Sequence, residues 1–323
     1  MKLSQLKSLL YVAESGSLVK AADRLHTVQP AVSRQIRMLE EELKARLFER
    51  HGRGMVPTEA GHKAIEGARR IMAELDHIQS DVAEADATLS GKVTVGMPPA
   101  LADLLALPLV QAIQASHPKV ELQLMSAFTG HLRDWMQRGE LDLAILYEQA
   151  HSRALHSTPL LRERLYLVGP PGSGLSLKKS VPFSSLGGKT FILPPRHHNL
   201  PAMVEQAAAD KGVTLKILAK IDSLSAIRNL VVQGMGYTVL PLAPVASDVA
   251  AGRLSAAPLS GPALSRGLVL AQPSDRRPSR AAQFAAIAVI DIVRRLVQTQ
   301  VLFGKLERAV QSGAPPRLAP PQT

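Results

Sequence analysis

The sequence predicts a small all-α head, one long connecting helix and a larger α/β domain built from two similar lobes. Three observations predict this order. Apolar residues repeat at helical spacing through residues 3–43, a heptad-like seam follows in residues 64–85, and strands alternate with helices from residue 92 onward. With 323 residues, the chain is long enough for two or three domains, each with its own core.

Composition excludes several classes of protein. Hydrophobic residues make up 46% of the chain and charged residues 20%, which is typical of a soluble globular protein. The chain has no cysteine, so disulfides, thiolate metal sites and cysteine nucleophiles are excluded. We find no signal-peptide pattern and no 18-residue apolar stretch free of charges or helix breakers. We therefore expect no membrane partner and a cytoplasmic location.

Positive charge is concentrated in the head. The formal net charge is +11, and residues 1–70 hold 13 Lys/Arg against 8 Asp/Glu, whereas residues 71–90 hold five acids and no base. A basic head favours a polyanionic partner, although the same charge is also compatible with a solvated surface. Aromatic residues are only 3% of the chain, which argues against a stacking platform for single-stranded nucleic acid.

Two short helices open the head. The first is expected to end near Gly16, and Ser17 can cap the second. Small residues in the second helix would let another helix approach closely. The apolar stripes are Leu6, Leu9, Leu10 and Ala13 in the first helix, and Leu18, Ala21, Ala22 and Leu25 in the second.

The third helix, residues 28–43, carries the residues that suggest function. Thr27 is the predicted N-cap, and Pro30 falls in the first turn, where its missing N–H does no harm. On a helical wheel, Val28, Val32, Ile36 and Leu39 form the buried stripe, while Pro30, Ser33, Arg34 and Arg37 point away, with Gln29 at the edge. Arg can bond guanine bidentately and Gln can bond adenine. The alternative is a solvated polar face.

A basic hairpin follows in "KARLFERHGRGMVPTEAG", where Arg50 and Arg53 suit phosphate contacts. Together, "AADRLHTVQPAVSRQIRMLEEELKARLFERHGRGMVPTEAG" resembles the winged helix-turn-helix of the LysR-type transcriptional regulators over residues 3–61. One departure is Val28, where the family usually has serine, so Thr27 or Gln29 would have to compensate. The predicted DNA-binding residues, within a domain of residues 1–58, are Thr27, Gln29, Pro30, Ser33, Arg34, Arg37, Arg50 and Arg53.

A connecting helix, assigned to residues 59–89, is expected to begin after the capping residue Thr58 and to reach about Asp86. Its apolar positions step by 4, 3, 4, 3, 4 and 3, which is a narrow seam that needs a partner. The seam either pairs two subunits or packs on the chain's own second domain. The resemblance implies dimerisation here, and a homotetramer overall. The predicted contacts are Ala64, Ala68, Ile71, Leu75, Ile78 and Val82, with Ala85 continuing the seam.

Residues 90–305 are predicted to form the α/β domain, with sheets mostly parallel and buried on both faces. Lobe I is expected to contain residues 92–162 and 266–300, and lobe II residues 163–265. A weak internal echo supports two lobes, because Gly139 and Gly234 both follow a strand and a helix. We expect the helix 100–116 to be interrupted at Pro108, and residues 306–323 to be a disordered, Pro-rich tail.

This half resembles the effector-binding domain of the LysR family, which is similar to two-lobed periplasmic solute-binding proteins. "LPLVQAI", "LDLAILYE" and "GMGYTVLP" resemble segments of the branch that contains the nitrogen assimilation control proteins. The resemblance implies an effector between the lobes. The loop "MPPAL" lacks the hydroxyl that many members use for a carboxylate, so the pocket could take an apolar ligand, bind weakly or stay empty. The candidate residues are Met97, Pro98, Ala100, Leu101, Tyr147, His198, Asn199, Ser223 and Leu224.

No catalytic constellation is evident. His197 and His198 are adjacent on an extended stretch without a carboxylate at useful spacing, so we expect no metal. "GGKT" lacks the earlier glycine of a P-loop, because Phe183 stands there. We therefore predict a non-enzyme with no cofactor. Its partners would be double-stranded promoter DNA, itself and a small-molecule effector, with RNA polymerase as a further candidate. The alternative is a small-molecule binding protein or transferase with a basic docking head.

Overall fold

The computed structural model describes residues 1–52, 54–82, 89–148, 154–196 and 199–311. They divide into two compact units, which we treat separately. The first, the head, contains residues 1–82, and the second, the regulatory unit, contains nearly all of the others.

The head consists of α1 (Leu3–Ser15), α2 (Leu18–Arg24), α3 (Gln29–Leu43), the strands β1 (Phe48–His51) and β2 (Gly54–Pro57), and α4 (Glu59–Val82). Two predicted helix ends are confirmed: Gly16 closes α1 with φ 62°, and the side chain of Ser17 accepts from the Lys20 N–H. A single core holds the helices together. Its most buried members include Leu9, Val12, Ala21, Val32, Leu39, Leu47 and Ala68.

Helix α3 begins one residue later than the sequence suggested. Val28, not Thr27, is the N-cap, and Pro30 lies in the first turn as predicted. The predicted place of Val28 in the buried stripe is wrong, because its side chain is 66% exposed. At the N-cap the backbone is extended rather than helical, so the helical wheel does not apply to this residue.

The beginning of α4 packs on the head. Thr58 caps it as predicted, with its Oγ1 accepting from the Gly61 N–H at 2.9 Å. Ile65 and Ala68 are buried in the head core, whereas Ile71 is 37% and Ile78 51% exposed. The seam predicted along this helix thus has two parts: one packed within the head, and one left open.

The regulatory unit alternates strands and helices through most of its length. In chain order it contains β3 (Ser90–Met97), α5 (Pro99–Ser116), β4 (Lys119–Ser126), α6 (Thr129–Gln137), β5 (Leu143–Tyr147), β6 (Leu155–Gly169), β7 (Val181–Pro182), β8 (Thr190–Leu193), α7 (Asn199–Asp210), β9 (Lys216–Lys220), α8 (Leu224–Val232), β10 (Thr238–Pro241), α9 (Ala246–Ala250), β11 (Ser255–Ser260), β12 (Ser265–Pro273), α10 (Arg280–Gln298), β13 (Lys305–Leu306) and α11 (Arg308–Gln311).

The main sheet has the order β4-β3-β5-β12-β6-β11-β7, and β10 and β13 also pair with β6. Only part of it is parallel: β3 runs parallel to β4 and β5, whereas β12 is antiparallel to both β5 and β6. The expectation of parallel sheets is therefore correct for one half of lobe I and wrong for the strands that join the lobes. β8 and β9 form a separate parallel pair.

The chain crosses from lobe I to lobe II along β6 and returns at the start of β12. Residues 155–164 of β6 pair with β12, and residues 165–169 pair with β10 and β11. Lobe I has a core between the sheet and the helices α5 and α10, with Val95, Leu105, Leu109, Ile145, Leu161, Leu268 and Val289 among its members. One lobe II core, called the α7 core here, contains Leu165, Phe183, Phe191, Val204 and Leu264.

Helix α5 continues through Pro108, so the predicted interruption is wrong. Leu105 and Leu109 on either side of the proline are fully buried in the lobe I core, and this packing holds the helix together. By length and composition alone α5 is apolar enough to cross a membrane. Its buried stripe, which also contains Leu101 and Ile113, packs into the lobe I core.

The C-terminal residues are ordered further than predicted. Residues 305–306 form β13 on β6, and residues 308–311 form α11. Val310 is fully buried in the lobe I core, so the predicted disorder is wrong for residues 306–311. The rest of the predicted tail, 312–323, lies outside the described residues. Gly139 and Gly234 have φ of 73° and 77° and lie two residues after the ends of α6 and α8, as the internal echo predicted.

Candidate functional site

The outward face of α3 is largely exposed among the residues that the structure describes. Arg34 and Arg37 are exposed, as are Thr27 and Pro30, while Gln29 and Ser33 are half-buried. Within the part of the chain that the structure describes, no hydrogen bond or ion pair engages the side chain of Arg34, Arg37 or Arg50. Guanidinium groups that are exposed and unpaired on one helix face are available to bind a polyanion.

Packing on the opposite side fixes the position of α3. Val32, Ile36 and Leu39 are buried in the head core. The carboxylate of Glu40 accepts from the backbone N–H of Leu47 at 2.7 Å, which ties the end of α3 to the start of the β1–β2 hairpin. The helix and the hairpin are thereby held as one surface.

The hairpin is also attached to the turn between α1 and α2. The Met55 N–H donates to the Gly16 carbonyl at 2.8 Å. A Cβ at Gly54, whose φ is 121°, would lie 2.4 Å from that same oxygen. Only glycine lets β2 approach so closely, so the position of the hairpin depends on this residue.

A cleft of about 440 Å³ lies between the hairpin, the α1–α2 turn and the start of α3. It brings together two predicted residues, Gln29 and Arg50, with two that the sequence did not single out, Lys20 and His51. The other lining residues are Ser15, Gly16, Ser17, Leu18, Val19, Gly54 and Met55. The sequence could have indicated that Lys20 lies on the polar side of α2. Its proximity to Arg50 could not be predicted, because it depends on how the hairpin docks. Arg53, also predicted, lies outside the described residues.

The predicted dimer contacts fall into two groups. Ala68 is 1% exposed and packed inside the head, so its assignment to a subunit interface is wrong, and Ala64 also packs against the head core. Leu75 is half-buried, and Ile71 and Ile78 are exposed. The side chain of Val82 and all of Ala85 lie outside the described residues.

The predicted effector residues are only partly brought to one surface. Met97 and Leu101 are 0% and 3% exposed and belong to the lobe I core, so their side chains do not line a cleft. Pro98 is buried and Ala100 half-buried at the start of α5. In lobe II, Asn199 begins α7, Ser223 caps α8 by accepting from the Ala226 N–H at 3.3 Å, and Leu224 is half-buried. His197 and His198 lie outside the described residues.

Tyr147 belongs to a polar group on β5, β6 and β12. Its hydroxyl accepts from Arg266 Nη2 at 2.7 Å, and Arg266 Nε donates to Glu163 Oε2 at 2.6 Å. Burial raises the pKa of Glu163, with Arg266 opposing that shift, and burial also raises the pKa of the Tyr147 phenol. Glu163 and Arg266 could not be identified from the sequence, because single charges in apolar strands carry no pairing information.

The comparisons with known proteins cover both halves of the chain. A family model described as "Bacterial regulatory helix-turn-helix protein, lysR family" matches residues 3–62, and one described as "LysR substrate binding domain" matches residues 86–294. The nitrogen assimilation regulatory protein nac of Klebsiella aerogenes is 33% identical over 299 residues, which are 91% of this chain and 96% of that protein. Its Escherichia coli K12 counterpart is 30% identical over 94% and 97% of the two chains.

Solved structures share the fold. A full-length OxyR variant from Pseudomonas aeruginosa has a TM-score of 0.74 at 23% identity and covers 95% of this chain and 98% of its own. CbnR, solved in complex with its target DNA, has a TM-score of 0.63 at 22% identity and covers 91% and 99% of the two chains.

Proposed function

This chain belongs to the LysR family and is a DNA-binding transcription regulator, and we propose that α3 and the β1–β2 hairpin together form its operator-binding surface. The observation that carries this proposal is the exposed face of α3. Arg34 and Arg37 project from a helix that is buried on its other side, with no protein partner among the described residues. A helix presented in this way fits the major groove, where Arg reads guanine.

Two further side chains extend the base-reading surface. Gln29, at the first position of α3, can pair with adenine. Val28 is 66% exposed beside it, and we assign it an apolar contact to a thymine methyl group. Thr27, Pro30 and Ser33 complete the face toward the DNA, and the hydroxyl of Thr27 takes the phosphate contact that the family's serine would make.

Phosphates are assigned to the residues around the 440 Å³ cleft. Arg50 and Lys20 line it. Arg53 is assigned a phosphate contact from its place in the sequence alone. Contacts of this kind fix the register of the protein on the duplex without reading sequence. His51 lies next to Arg50 and would approach the same part of the DNA backbone.

Oligomer formation is assigned to the open part of α4. Ile71 and Ile78 are exposed apolar residues one heptad apart, with Leu75 between them and Val82 continuing the series. A helix with such a stripe buries it by pairing with a second copy. Two heads would then read half-sites about one helical turn or a multiple apart, and we infer a homotetramer as the complete assembly.

We infer that the regulatory unit binds a small effector between its lobes. Pro98, Ala100 and Tyr147 from lobe I, and His198, Asn199, Ser223 and Leu224 from lobe II, form the proposed lining. Met97 and Leu101 support this lining from the core. We infer that the protein acts in the cytoplasm, where it meets promoter DNA and RNA polymerase.

The experiment that tests the operator surface starts by mapping bound DNA across the genome to obtain an operator. Arg34→Ala should weaken operator binding by about 1–3 kcal/mol while leaving scrambled duplex nearly unaffected. Arg50→Ala should weaken both, and reduce the slope of log K against log salt by about one. Lys119→Ala removes an exposed positive charge from the regulatory unit and serves as the charge-matched control. Equal losses for Arg34→Ala on both DNAs would refute base reading by this residue.

The alternative of a small-molecule binding protein or transferase with a docking head is not favoured, because the curated relatives described above are regulators along nearly their whole length. A gel-shift titration with competitor DNA separates the two functions. A binding protein with a docking head would show no preference for any promoter fragment.

A further inference from the structure

An ion pair interrupts the apolar face of the strands that join the two lobes. On β6, Leu161 packs into the lobe I core and Leu165 into the α7 core of lobe II, with Glu163 between them. Leu268 of β12 and Leu264, the residue directly before β12, pack into the same two cores, with Arg266 between them. Alternate strand residues share a face, so both charged residues lie where an apolar surface would otherwise be continuous.

The two charges face each other. Arg266 and Glu163 are directly opposite in the antiparallel register, and Nε and Oε2 are 2.6 Å apart. The exposed fractions of the two side chains are only 10% and 3%. The neighbouring Arg162, on the other face of β6, is 45% exposed and pairs with an equally exposed Glu148. Burial therefore distinguishes the Arg266–Glu163 pair from the surface ion pairs around it.

Tyr147 completes the environment of the guanidinium. Its hydroxyl accepts from Nη2 at 2.7 Å, and the centre of its ring lies 3.5 Å from Arg266 Cζ. The guanidinium thus has a carboxylate on one edge and an aromatic ring over one face. A guanidinium suits a ligand carboxylate, because its planar fork matches that shape. Here a side chain of the protein already supplies the carboxylate.

We propose that Glu163 is a built-in occupant of the anion position on Arg266, so that this position, at the junction of the two lobes, is closed to small carboxylates. The inference rests on the proposed function, in that the cleft is the effector site. The ion pair carries no net formal charge, and Pro98 and Pro99, which follow β3, have no N–H to donate to an anion. An effector that binds here is uncharged where it meets Arg266.

Acetate provides a direct test, since Glu163→Ala removes a methylene and a carboxylate, the heavy atoms of acetate. In full-length protein, Glu163→Ala should lower Tm, because Arg266 is left buried without its partner. Sodium acetate, compared with sodium chloride at equal ionic strength, should then raise Tm of this variant in a saturable way. The wild type should not respond.

Two variants serve as controls. Glu163→Gln keeps the space filled and should not respond to acetate. Arg266→Met combined with Glu163→Ala removes the guanidinium, and the acetate response should disappear. If Glu163→Ala does not fold as purified, refolding from urea in acetate and in chloride replaces the melt, and recovery only in acetate is expected.

Three results would overturn the proposal: saturable acetate or benzoate stabilisation of the wild type that Arg266→Met abolishes, no acetate effect on Glu163→Ala, and no acetate-dependent recovery on refolding. Operator binding by the wild type, measured in parallel, decides the proposed function separately. If the wild type does not bind the operator, the proposed operator surface is refuted, whereas the interpretation of the acetate result is unaffected.

Discussion

Replacing Gly61 by alanine tests whether the start of α4 and the base of the hairpin are packed as closely as the structure indicates. A Cβ on Gly61 would lie 2.0 Å from the Leu47 carbonyl oxygen and 3.0 Å from its carbon. The obstacle is backbone, so a change of side-chain rotamer cannot relieve it. Either α4 or the start of β1 has to move by more than about 1 Å to restore ordinary contact distances.

The magnitude follows from two opposing terms. Alanine in place of glycine favours a helix by about 0.5–1 kcal/mol, and overpacking of a tight site costs about 1–3 kcal/mol or more. Gly67, on the same helix, has no atom within 4 Å of the position of a Cβ. Gly67→Ala should therefore stabilise the head by about 0.5–1 kcal/mol, whereas Gly61→Ala should destabilise it by roughly 1–2 kcal/mol.

Urea unfolding can assign the effect to the head. The chain has one tryptophan, Trp135, which lies in α6 of the regulatory unit, so its fluorescence follows that unit while far-UV circular dichroism follows all helices. Gly61→Ala should shift the dichroism transition to lower urea without moving the fluorescence transition. Operator affinity should fall as well, because the hairpin moves with Leu47. Equal stabilisation by both alanine variants, at several protein concentrations, would refute the close packing of Gly61 on Leu47.

The remaining predictions concern the regulatory unit and use the fluorescence of Trp135. Burial raises the pKa of Tyr147, so above pH about 10 the phenol ionises in the unfolded chain and stays neutral in the folded one, and stability should fall as pH rises. Tyr147→Phe should reduce that slope between pH 9 and 11, and an unchanged slope would contradict the assignment. Ser279 accepts from the Ala282 N–H at 3.1 Å at the buried start of α10. Ser279→Ala should cost about 1 kcal/mol and Ser279→Gly only a few tenths, and equal costs would argue against capping.

Local patterns predicted the helices of the head well, because caps and stripes are properties of adjacent residues. Ser17, Thr58 and Gly16 each act within one turn of their own position, and the structure places them as expected. Val28 was wrongly placed in the buried stripe because the helical wheel was applied to a residue that precedes the first residue of the helix. Pro108 was misjudged because tertiary packing outweighed a local preference for a break.

The sites depended more on contacts between distant residues. Arg34 and Arg37 could be identified from the sequence because their helix orients them, but Lys20 joins Arg50 only through the docking of β2 on Gly16. Glu163 and Arg266 are 103 residues apart in the chain. No periodicity connects two charges at that separation, and each alone reads as an ordinary exposed residue of a strand.

The C-terminal segment has a mechanical consequence. Leu302 and Val310 are buried in the lobe I core, while Phe303 packs on the lobe II cluster that contains Val168, Ile192 and Ile227. The lobes are thereby joined by a third tether in addition to β6 and β12. Truncation before Leu302 should therefore weaken the connection between the lobes, whereas a polypeptide fused after residue 311 should leave these contacts in place.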